Sequence, residues 1–153
     1  MNYYAFSIRR AASNDIAGMC DLLCELFSVE SDFTPDREKQ TRGLDLLINN
    51  TSSSSLVLVA EKDGEIIGMC SVQTLISTAE GGPVGLLEDV IVRREYRGKG
   101  IGKRLLSGVV GWCAGKDISR IQLLADADNE RALMFYTDND WAGTNLVCMR
   151  KML

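Results

Sequence analysis

A mixed α/β domain is what this sequence predicts, and three observations predict it. Segments with helical apolar spacing alternate with runs of β-prone residues, an Asp-Gly pair joins two of those runs, and a glycine-rich turn carries another run straight into an amphipathic helix. With 153 residues, 46% of them hydrophobic, the chain has enough apolar surface for one substantial core. Residues 1–153 therefore read as a single domain.

In chain order, residues 4–9 open the domain as a strand. Ser13, Asn14 and Asp15 favour a helix N-cap, and Ile16, Met19, Leu23, Leu26 and Phe27 follow at helical spacing. Thr34-Pro35 caps and starts a second helix, with Leu44, Leu47 and Ile48 as its apolar stripe and Asn49-Asn50 as its stop. The polar run Thr51-Ser52-Ser53-Ser54-Ser55 is a loop between packed elements. Residues 56–61 and 65–76 are strands joined at Lys62-Asp63-Gly64, where Asp-Gly supplies the positive φ angles of a tight antiparallel hairpin. Past Gly81-Gly82-Pro83, residues 84–92 form another strand. Residues 93–99 then lead into a helix with stripe Ile101, Leu105, Val109 and Trp112, closed by Gly115. Residues 120–125 are a short strand, 129–138 a helix, and 141–152 return as one or two final strands.

Composition removes several classes of function. The five cysteines, Cys20, Cys24, Cys70, Cys113 and Cys148, are odd in number and scattered among apolar neighbours, which suits a reduced, intracellular protein. The chain has no histidine and no Cys-x-x-Cys pair, so histidine-based catalysis is excluded and no metal is expected. The N-terminus lacks the charged-then-apolar order of a secretory signal, and no run approaches the roughly 20 apolar residues of a membrane span. A cytoplasmic protein without membrane association is expected. A net charge of −4 disfavours nucleic acid and suits a cationic substrate.

The chemistry concentrates where the strand Glu88-Asp89-Val90-Ile91-Val92 runs on to Arg97-Gly98-Lys99-Gly100-Ile101-Gly102-Lys103. A glycine-rich turn at a helix start converges backbone N–H groups on an anion, and Lys99 and Lys103 add charge, so a pyrophosphate ligand fits. The P-loop pattern fails because Lys103 is followed by Arg104 and no spacing supplies its glycines. The dinucleotide pattern fails because Lys103 or Leu105 stands where its last glycine belongs. On the strand, alternation puts Glu88 on one face with Val90 and Val92 and Asp89 on the other, so at most one of the two carboxylates addresses a given reaction centre. The competing reading of both is a strand residue satisfied by a nearby arginine.

Arg97-x-x-Gly100-x-Gly102, between a strand and a helix, resembles the R/Q-x-x-G-x-G/A signature of GNAT acyltransferases. Asn129-x-x-Ala132-x-x-Phe135-Tyr136 followed by Trp141 resembles that family's asparagine, its Phe-Tyr helix and its closing aromatic. Nearly the whole chain is covered. One departure is Asp140, where the family commonly has glycine; aspartate tolerates the left-handed conformation better than most residues. The resemblance implies a strongly twisted mixed sheet flanked by helices, with the cofactor between splayed strands. Acetyl-CoA would lie against Val90, Ile91, Val92, residues 97–103 and Asn129, although Asn129 also suits a plain helix cap. It further implies N-acetyltransfer to a primary amine by direct attack in a ternary complex, with Glu88 as base or positioning carboxylate and Tyr136 as the acid for the departing thiolate. The acceptor is a small-molecule or protein amine, and a homodimer is compatible with the resemblance. An acyl-CoA-binding sensor or interaction module with little turnover is the alternative.

Overall fold

The computed structural model describes residues 5–153, so Tyr4, where the predicted first strand begins, lies outside the described residues. The chain divides after Leu123 into two compact units.

The first unit holds a five-stranded sheet in the order β1-β2-β3-β4-β5. Its strands are β1 (Ser7–Arg10), β2 (Ser55–Lys62), β3 (Glu65–Ser77), β4 (Gly82–Val92) and β5 (Ile121–Leu123). The first four are antiparallel neighbours and β5 runs parallel to β4, so the sheet is mixed. Asp63 (φ 51°) and Gly64 (φ 83°) both take positive φ between β2 and β3, as a two-residue hairpin of this sequence requires.

Three helices cover the sheet. Helix α1 (Ile16–Val29) and helix α2 (Arg37–Ile48) bury Met19, Leu22, Leu23 and Leu44 with Val57, Val59, Met69 and Ile91, all from one sheet face. The predicted start at Thr34-Pro35 moves to Arg37, because the Asp36 carboxylate accepts the Lys39 N–H at 3.1 Å and caps the helix. Helix α3 (Ile101–Ala114) lies on the opposite face, where the Leu58 side chain approaches Gly108 and Ile101 approaches Gly68. At Gly108 a Cβ would sit 2.7 Å from Leu58 Cδ1, so this glycine sets how closely α3 packs.

The second unit comprises residues 124–153, with helix α4 (Glu130–Thr137) capped by Asn129. The predicted final strands over 141–152 do not form, and no strand follows β5 among the described residues. Leu146, Val147, Met149 and Met152 are each more than four-fifths exposed. β-propensity favours an extended residue, but a strand exists only through a paired backbone, and this segment has no ladder partner.

Candidate active site

The β4–β5 ladder decides where the sheet opens. Its partners are Gly85–Ile121, Leu86–Gln122 and Leu87–Leu123, and there it ends, while β4 continues to Val92. Residues 88–92 thus have β3 on one side and no β5 partner on the other.

Beyond Val92 the chain makes one 3-10 turn, Arg94–Tyr96, and enters the glycine-rich loop. Gly98 (φ 74°) and Gly100 (φ 80°) take left-handed conformations that ordinary residues avoid. Nothing lies within 4 Å of where a Cβ would stand on either, so the space over the loop is open. Gly100 caps α3 without any side-chain hydrogen bond, which leaves the first N–H groups of a 14-residue helix for an anion. The Arg97 guanidinium is otherwise engaged: it donates to Val92 O at 2.7 Å and to the Glu25 carboxylate of α1 at 2.6 Å. Arg97 therefore braces the loop against β4 and α1. Lys99 donates to Glu95 O at 2.9 Å and lies 5.1 Å from the Tyr96 ring centre, while Lys103 is exposed on the first turn of α3. Ile91 and Ile101 turn their side chains into the core, so each offers the site only backbone. An open, glycine-bracketed loop at a helix start is suited to receiving an anion.

At the middle of β4 the expected alternation breaks. Ser71 pairs with Glu88 and Met69 with Ile91, so Asp89 and Val90 together stand opposite Cys70 in a β-bulge. Asp89 takes φ 55° there. The bulge places Glu88 on the face of Ile91 and not, as simple alternation predicts, on that of Val92. Glu88 is exposed and accepts a hydrogen bond from Gln73 Nε2 at 3.4 Å. Asp89 is half-buried, and burial, followed by the like charges of Glu88 and Glu30, pushes its carboxyl up to about 6. The sequence shows two adjacent acids here but not the break in alternation, because the bulge results from how β3 and β4 pair. The adjacency of two acids on this strand was the available signal.

In the second unit, the Asn129 side chain accepts the Ala132 N–H at 3.1 Å and caps α4. The Tyr136 ring packs between Phe135 and Trp141, with centroid separations of 5.3 and 5.8 Å. The Trp141 N–H returns to Tyr136 O at 3.0 Å through Asp140, whose φ of 66° supplies the left-handed turn usually given by glycine.

A separate cleft of about 520 Å³, among Arg9, Asp15, Asp21, Glu61, Glu65 and Arg93, is occupied by its own ion pairs: Arg9 with Asp15 and Glu61, Arg93 with Glu65. Among the described residues, no group of acidic or cysteine side chains is arranged to hold a metal ion. No described helix is long and apolar enough to cross a membrane.

The sequence profile of the acetyltransferase (GNAT) family matches residues 16–140. The chain belongs to this family. A GNAT relative described as an uncharacterized N-acetyltransferase of Archaeoglobus fulgidus is 27% identical over 134 residues, covering 87% of this chain and 90% of its own. Glucosamine-6-phosphate N-acetyltransferase from Arabidopsis thaliana superposes with a TM-score of 0.76 at 22% identity, covering 96% of this chain and 98% of the other. An aminoglycoside acetyltransferase from an uncultured soil metagenomic sample, solved with trehalose, gives 0.79 at 24% identity, covering 97% and 96%. These structures share the GNAT fold with this chain.

Proposed function

We propose that this GNAT domain transfers an acetyl group from acetyl-CoA to a primary amine by direct attack in a ternary complex. The observation that carries the reading is the continuity of the open stretch of β4, residues 88–92, with the open, left-handed glycine loop at the start of α3. One binds a pantetheine arm through backbone groups of Val90, Ile91 and Val92; the other holds pyrophosphate through the N–H groups of residues 98–103, aided by Lys99 and Lys103. Arg97 serves by bracing the loop. The family pattern adds Asn129 as a second pantetheine contact.

An amine with pKa near about 10 is mostly protonated at neutral pH, so a carboxylate on β4 must help free its lone pair or hold it in place. Glu88 is the residue the sequence marks for that task. A β4 N–H near Val90 stabilises the oxyanion formed on attack, a contribution of about 3 kcal/mol for one well-aimed donor. Tyr136 gives the departing thiolate its proton. Fold neighbours and relatives are named for aminoglycosides and amino-sugar phosphates, and the acidic residues on this β4 suit a cationic acceptor of that kind or a protein amine. The protein is proposed to act in the cytoplasm as a single catalytic domain, with no metal.

The test is incubation with acetyl-CoA and a panel of amines: glucosamine 6-phosphate, sisomicin and an alanine-terminated peptide. The readouts are CoA release and product mass. Transfer to any of them is the expected outcome, whereas acetyl-CoA binding without any amide product favours the acyl-CoA sensor. Replacing Tyr136 by Phe removes only a hydroxyl. It should lower single-turnover transfer roughly 100-fold while donor affinity changes little.

A further inference from the structure

We propose that Asp89 takes the proton from the acceptor's ammonium group and that Glu88 holds the acceptor in place, an assignment that rests on the acetyltransferase reading. The bulge sets the two carboxylates apart. It gives Asp89 a positive φ at the point where β4 has left its β5 partner, and bulges beside active sites commonly re-aim a side chain. Glu88 stays in solvent on Gln73, while Asp89 is half-buried and forms no ion pair among the described residues.

The groups facing Asp89 come from three elements. Glu88 is its neighbour on β4, Glu30 follows the last turn of α1, and β3 contributes Cys70 and Ser71. Two of these are carboxylates, burial keeps the Cys70 thiol neutral, and the nearby Ser71 hydroxyl, which donates to Glu88 O at 3.4 Å, offsets only part of the shift. Asp89 thus titrates at about 6, nearer neutrality than an ordinary carboxylate, and remains mostly ionised at pH 7. A base in that position is stronger than a solvated carboxylate yet still available.

The step balances as follows. The Asp89 carboxylate takes one proton from R–NH3+, and the freed lone pair forms a C–N bond to the thioester carbonyl carbon. The C–S bond then breaks with its electron pair going to sulfur. Tyr136 gives that sulfur its proton and is reprotonated by the second nitrogen proton, leaving amide and free CoA thiol, and Asp89 returns its proton to water.

Three measurements on the full chain test the assignment: pH profiles of kcat/KM for wild type, Asp89→Asn and Glu88→Gln with whichever panel amine reacts; acetyl-CoA affinity by calorimetry; and an NMR titration of the Asp89 carboxyl carbon. Wild type should lose activity as pH falls through about 6. Glu88→Gln should keep that limb with a raised KM. Asp89→Asn should lose the limb and roughly 100-fold in turnover while acetyl-CoA affinity is retained. A persisting limb in Asp89→Asn, or its disappearance in Glu88→Gln, overturns the assignment. So does a carboxyl midpoint near the ordinary value of about 4, whether or not any amine reacts. Failure of the acetyltransferase reading registers separately, as absent acetyl-CoA binding or absent product in wild type.

Discussion

Asp15, which is buried, and Asp89, which is half-buried, are two acids that the fold treats in opposite ways. The Asp15 carboxylate accepts from the Ala12 N–H at 2.7 Å and from both terminal nitrogens of Arg9 at 2.7 and 2.8 Å. The Arg9 hydrogen bonds outweigh burial and hold its carboxyl below the ordinary value. That stabilisation is present above the unfolded pKa of about 3.9 and is lost as pH falls through the lower folded value. At Asp89 burial and neighbouring carboxylates raise the folded value to about 6, so the native state binds the proton more tightly than the unfolded chain. Stability therefore falls as pH rises from about 4 toward 6. Denaturant unfolding as a function of pH should show both signs. Asp15→Asn should cost about 2 kcal/mol at pH 7, narrowing under acid, because it strips a buried partner from Arg9. Asp89→Asn should be more stable than wild type above pH 6 and converge with it near pH 4; differences of the same sign for the two variants at pH 7 would contradict the opposite environments of the two acids.

At the scale of elements, the strand–loop–helix unit from β4 to α3 works because its backbone is unusual at two places: the bulge at Asp89 and the left-handed pair Gly98 and Gly100. A branched side chain at Gly100 would face a conformational cost of about 1–2 kcal/mol and stand in the open space over the loop, where the proposed pyrophosphate would bind. Gly100→Val should weaken acetyl-CoA binding at least about tenfold by calorimetry. Gly43→Ala, in the open interior of α2, should leave affinity unchanged and raise stability by roughly 0.5–1 kcal/mol. Equal affinities for Gly100→Val and wild type would remove the loop from the site. The loop and the Asp63-Gly64 hairpin were legible in the sequence because glycine and its partners state a local conformation directly. The Asp89 bulge was not, because it follows from Met69 and Ser71 pairing across β3 to residues three apart on β4. Nor was the role of Arg97 as a brace, since its partner Glu25 lies 72 residues away. Residues 141–152 show the same limit: their side chains favour a strand, but only a backbone partner makes one.

At the scale of the whole molecule, the five cysteines sample the layers of the first unit and the tail of the second, so their reactivity reads out the architecture. Cys20 sits in α1 against the sheet with its sulfur 3.5 Å from Thr41 Oγ1, Cys70 lies on β3 opposite the bulge, and Cys113 is on the buried stripe of α3. All three are buried, whereas Cys24, one turn after Cys20 on the outer side of α1, and Cys148 are exposed. A thiol must reach the surface and ionise before it alkylates, and burial opposes both. It pushes Cys70 up to about 12 and raises Cys113 as well. Brief alkylation of the native protein near neutral pH, read by peptide mass, should therefore mark Cys24 and Cys148 and spare the other three. Denaturant should expose all five. Labelling of Cys20 or Cys113 at the rate of Cys24 would mean that α1 or α3 does not cover the sheet as described, and rapid labelling of Cys70 would place the bulge, and Asp89 with it, in open solvent. Because Cys70 stands directly opposite Asp89 and Val90, its protection is the one measurement on the intact chain that reports on the layering and on the site together.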